Sequence, residues 1–116
     1  FHMELIARLA TRLTGVPEGD GTMLDNTVIV YLSDAAEGHH SRCWEWPIVM
    51  LHGAGAAMQA GGHYLCYPKY GAPGHRTTAN FFTTLLHAAG APRDSFGMPD
   101  PELKHLDQTG PLAELL

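Results

Sequence analysis

The chain has 116 residues, 45% of them hydrophobic, which is the length of one small domain with enough apolar mass for a modest core. Seven Lys and Arg against twelve Asp and Glu make it mildly acidic, and the basic residues are scattered from Arg8 to Lys104, which argues against nucleic acid as a partner. No apolar run approaches the roughly 20 residues needed to span a bilayer, and no signal-peptide pattern opens the chain.

Residues 3–14 place Leu5, Ile6, Leu9 and Leu13 at helical spacing with Arg8 and Arg12 on the other side, and Gly15 and Pro17 stop the pattern. An amphipathic helix is predicted there. Because the helical pattern begins at once at Phe1, we expect an upstream region and read 1–116 as the C-terminal fragment of a single larger α/β domain. Glu18-Gly19-Asp20-Gly21 reads as a polar loop. It leads to the most strand-like run of the chain, residues 27–32, which is continuous in β-branched and aromatic residues without polar alternation. Such a run suits a central strand buried on both faces, as in a parallel sheet covered by helices.

Ser33 to Glu45 reads as the loop at the C-terminal end of that strand. Pro47 to Leu51 is a second strand candidate, the proline being acceptable at a strand's first residue. His63 to Tyr67 is a third, short one, set off by Gly61-Gly62. Thr77 or Thr78 can cap a second helix whose apolar face is Phe81, Phe82, Leu85, Leu86 and Ala89, ended by Gly90 and Pro92. Beyond Arg93 no periodic pattern is visible. Two helices and two to three strands make half of an α/β sandwich, and a doubly covered strand needs neighbours that this chain scarcely supplies.

The ordered succession Pro17-Glu18-Gly19-Asp20-Gly21, Leu24-Asp25-Asn26-Thr27, Ser33-Asp34, His39-His40-Ser41-Arg42-Cys43, Trp46-Pro47, Tyr67-Pro68, Gly74-His75-Arg76-Thr77, Leu85 to Gly90, Phe96-Gly97 and Asp107 to Leu112 resembles the C-terminal end of the HXXSHH-type exported proteins of planctomycetes and related bacteria. The resemblance runs through essentially the whole chain. It implies an exported protein, periplasmic or at the cell surface, with the fold of the alkaline phosphatase and sulfatase superfamily; the fragment would be the C-terminal part of a parallel-sheet sandwich. In enzymes of that superfamily a strand ends in Ser-Asp, a His follows, and the Asp and His ligate divalent metals while the nucleophile comes from an earlier region. Ser33-Asp34 and His39 or His40 match that order. One position departs from it, since Ala35 stands where those enzymes place His or Asn.

The residues themselves point to the same place. Asp34 closes a strand, where α/β sheets present ligand-binding groups. His39-His40-x-x-Cys43 mixes imidazole and thiolate, a donor set that suits zinc. The plainer alternative is a solvated loop in which Asp34 turns the chain. Cys43 is open to three readings: metal ligand, disulfide partner of Cys66, or small buried residue. An exported protein favours the disulfide slightly. His75 and Arg76 stand just before a helix start and could hold an anionic group or cofactor there, or could brace the loop through carbonyl hydrogen bonds. His87 reads as a core or interface histidine.

Two functions follow. One is a metal-dependent phosphate or sulfate ester hydrolase, with Asp34 and His39 or His40 on a divalent cation. The other is a non-catalytic scaffold or redox partner at the cell surface or in the periplasm, since fold does not fix function. Ser33 lacks the Gly-x-Ser-x-Gly elbow that would expose a serine nucleophile, so the residues do not decide whether the protein is an enzyme.

Overall fold

The computed structural model describes residues 1–34, 45–59 and 61–116, and these form a mixed α/β structure with two α-helices and two small antiparallel sheets. It divides into two compact units. The first comprises Phe1–Tyr31 and Ile48–Ala56, the second the described residues of Leu32–Pro47 and Ala57–Leu116.

In the first unit, helix α1 spans His2–Thr14, as the spacing of its leucines predicts. Glu4 in its first turn and Arg12 in its last complement the helix dipole. The Gly15 and Val16 amides turn back to the Arg12 and Leu13 carbonyls at 3.1 and 3.2 Å, and Pro17, which has no amide hydrogen to give, ends the helix. Pro17–Glu18 (β1) then pairs antiparallel with Gly21–Thr22 (β2), with Pro17 opposite Thr22 and Glu18 opposite Gly21. The expected polar loop is thus a small hairpin. Its tight turn needs the positive φ of Gly19, +56°. Asp25 secures it from below, its carboxylate accepting from the Thr22 amide at 2.7 Å and the Thr22 hydroxyl at 2.9 Å.

Strands β3 (Val28–Leu32) and β4 (Ile48–His52) form the second sheet. The Gly53 amide, just after β4, donates to the Thr27 carbonyl, just before β3, at 3.3 Å. Only an antiparallel pair brings those two ends together. The parallel neighbour expected for residues 27–32 is therefore not what β4 provides. The apolar run without alternation signals cover on both faces and carries no information on direction. No residue of either strand is fully buried, and Tyr31 and Val49 are exposed.

The glycines after β4 have a packing role. A Cβ on Gly53 would lie 2.2 Å from the Leu24 carbonyl oxygen and 2.4 Å from Asp25 Cα, so only glycine lets the chain pass this close to the 24–26 turn.

The second unit is organised by helix α2, Thr78–Ala88. Thr77 caps it: its hydroxyl accepts from the Asn80 amide at 3.4 Å, while Asn80 Oδ1 accepts from the Thr77 amide at 2.8 Å. Gly90, with φ +73°, closes the other end, and the Ala91 amide reaches back to the Leu86 carbonyl at 2.9 Å.

The buried side of α2 joins Phe81, which the apolar periodicity indicates, with three polar side chains, which it did not. Asn80, Thr83 and Thr84 are all but inaccessible, whereas Leu85 and Leu86 are half-buried and Ala89 is exposed. Asn80 Nδ2 donates to the Thr109 and Gly110 carbonyls at 2.7 and 3.1 Å. The Leu112 amide donates to the Thr84 hydroxyl at 2.8 Å, which itself donates to the Asn80 carbonyl. Phe81 and Leu112 are the buried apolar side chains among the described residues.

The patternless tail is ordered by side chains rather than by regular structure. Gln108 accepts from the Asp100 amide at 2.8 Å and donates to the Asp100 and Leu103 carbonyls at 3.0 and 3.1 Å, around a 3-10 turn at Pro101–Leu103. A second 3-10 turn, Ala113–Leu115, lies near the end. His63 to Tyr67, expected as a third strand, is not a strand, and His63 to Cys66 are exposed. No helix among the described residues is long and apolar enough to cross a membrane.

Candidate functional site

Asp34 is exposed in the turn that follows Leu32, the last residue of β3. The strand ends there because the β-branched and aromatic run ends, and Asp34 is the first charged group beyond it. His39, His40 and Cys43, the other candidate ligands, lie outside the described residues, as does Ala35. Among the described residues no group of three or more His, Cys, Asp or Glu side chains is placed to hold a metal ion. Cys66, the disulfide candidate for Cys43, is exposed and unpaired among the described residues, and Cys43 itself lies outside them.

His75 and Arg76 stand where the sequence puts them, immediately before the Thr77 cap of α2. Both are engaged. The His75 ring Nδ1 lies 2.8 Å from the Pro68 carbonyl oxygen and so acts as its donor, and the ring meets Tyr70 edge-on. The Arg76 guanidinium donates to Asp107 Oδ2 at 3.2 Å. Bracing of the loop, rather than an open anion seat, is the arrangement these contacts make. The ion pair is 37% and 58% exposed on its two sides, so it contributes about 1 kcal/mol or less.

Around Arg76 lies a group of titratable residues with no local signature. The Tyr67 hydroxyl donates to Glu114 Oε1 at 2.5 Å. Burial, and then the bond to the Glu114 carboxylate, push the Tyr67 phenol well above its ordinary range. The same hydroxyl lowers the Glu114 carboxyl, with a lesser contribution from Arg76. Asp107 is lowered first by the Thr109 amide, which donates at 3.1 Å, then by the Thr109 hydroxyl, and further by Arg76. These bonds stabilise the ionised carboxylates and fasten residues 107–114 beside α2.

The group combines one guanidinium, two ionised carboxylates and a protonated phenol, each with a partner inside the chain. Its chemistry is that of a clasp. Sequence reasoning missed Tyr67, Asp107 and Glu114 because their partners are 31 to 47 residues apart. It also missed Asn80, although Thr77-x-x-Asn80 has capping-box spacing with Asn in place of the usual Glu or Gln.

His87 behaves as a structural histidine. It is half-buried, with Nε2 2.9 Å from the Arg93 carbonyl oxygen just past the helix end. Compared with known proteins, the chain matches no family model, no curated protein and no solved structure.

Proposed function

We propose that this chain is the metal-binding C-terminal part of an exported protein with an alkaline-phosphatase-like fold, in which Asp34 and the His39-His40 pair, with Cys43 beside them, hold a divalent cation. The observation that carries the reading is the position of Asp34, exposed on the turn directly after β3 and at the start of the segment that bears the two imidazoles and the thiol. A carboxylate, two imidazoles and a thiolate fit zinc better than magnesium or calcium, which prefer oxygen ligands alone. Such a cation would polarise an oxygen of a phosphate or sulfate ester.

The nucleophile is assigned, by the resemblance, to a region preceding these residues. The parallel strands of the sandwich are likewise assigned to the larger domain. They would lie along the edge of β3 that β4 does not occupy.

A second reading, a non-catalytic scaffold or redox-partner protein at the cell surface or in the periplasm, has one observation in its favour. Arg76 and His75, the groups suited to an anionic substrate, are already held by Asp107 and by the Pro68 carbonyl.

Zinc titration separates the two. Purified protein should take up about one equivalent of zinc per chain at neutral pH, and binding should weaken on acidification through the imidazole range, near pH 6.5, because a ligating histidine must first lose its proton. The His39→Ala, His40→Ala double variant should lose the uptake while its far-ultraviolet circular dichroism stays unchanged. Zinc uptake that the double variant retains, or no uptake by the parent, would leave the scaffold reading.

A further inference from the structure

We draw no further inference here: the strongest candidate, the exposed apolar segment of residues 61–66 in the second unit, with Tyr64 90% and Leu65 39% exposed beside the anchored Tyr67, is a surface patch for which nothing in the structure shows what covers it.

Discussion

Replacing Gly53 by alanine should unfasten the first unit and leave α2 untouched. An added Cβ would meet three backbone atoms, the Leu24 oxygen at 2.2 Å, Asp25 Cα at 2.4 Å and the Leu24 carbonyl carbon at 2.6 Å, where ordinary contacts begin at 3.4 Å. Backbone cannot swing aside as a flexible side chain does, so the 24–26 turn must retreat by about 1 Å, an overpacking strain of about 1–3 kcal/mol. The Gly53 to Thr27 hydrogen bond, already 3.3 Å, would break with it, at a net cost of about 1 kcal/mol. The sum is about 2–4 kcal/mol, or about 30- to 700-fold in an opening equilibrium.

Hydrogen exchange read by mass spectrometry is the assay. Amides of 27–32 and 48–53 should lose protection by that factor, or entirely, because the first unit has no fully buried side chain among the described residues to resist opening. The Gly61→Ala control should stay within about 0.5 kcal/mol, since nothing lies within 4 Å of its Cβ. Unchanged exchange in the Gly53→Ala strands would show that the 24–26 turn is not where the structure puts it.

Other outcomes follow from the second unit. Asn80→Asp should destabilise α2 and the tail together by about 2–4 kcal/mol in urea melts, because a carboxylate cannot donate to the Thr109 and Gly110 carbonyls and leaves both unsatisfied; a variant as stable as the parent would dismiss that clasp. Glu114 and Asp107 have lowered folded values, so their stabilisation is complete above the ordinary 4.5 and 3.8 and is lost as the pH falls through the lower folded values. Tyr67 is raised, so its contribution is complete below 10.0 and is lost only as the pH rises through the raised value. Tyr67→Phe should therefore remove the Glu114 part of the acid-side loss, and an identical acid limb in the variant would count against the bond. Native protein should react rapidly with iodoacetamide at Cys66, and a Cys66 protected until reduction would instead indicate a disulfide.

Both helices were legible because each carries several local signals that agree. In α1 these are a leucine stripe with arginines opposite and a Gly-x-Pro stop. In α2 they are a threonine cap and a terminal glycine. β3 and β4 were legible as strands from composition, but their direction was not, since a run with apolar residues on both faces serves parallel and antiparallel pairs alike. His63 to Tyr67 shows the limit of composition. The residues have strand character, yet Tyr67 is held through its hydroxyl by Glu114 and His63 to Cys66 lie exposed. The clasp at Arg76 was illegible for a different reason: a charged residue before a helix looks the same in sequence whether it awaits a ligand or pairs with Asp107, 31 residues on.

The two units differ in how they meet the cost of ordering a chain, and the difference bears on the proposed larger domain. In the second unit, Asn80, Thr83 and Thr84 are buried with every polar side-chain group engaged, so directional bonds supply the specificity around α2. In the first, the apolar residues are present but incompletely covered. Leu5, Leu9 and Leu13 mark the centre of the α1 stripe at i, i+4 and i+8, while the covered line runs through Ile6, Ala10 and Leu13, leaving Leu5 and Leu9 close to half exposed. Tyr31 and Val49 repeat the pattern on the sheet. A fully buried leucine contributes about 1.5–3 kcal/mol, so Leu5 and Leu9, 45% and 46% exposed, each forgo on the order of 1 kcal/mol in these surroundings. The uncovered part of the α1 stripe sits on the same unit as β3, the strand whose composition asks for cover on both faces.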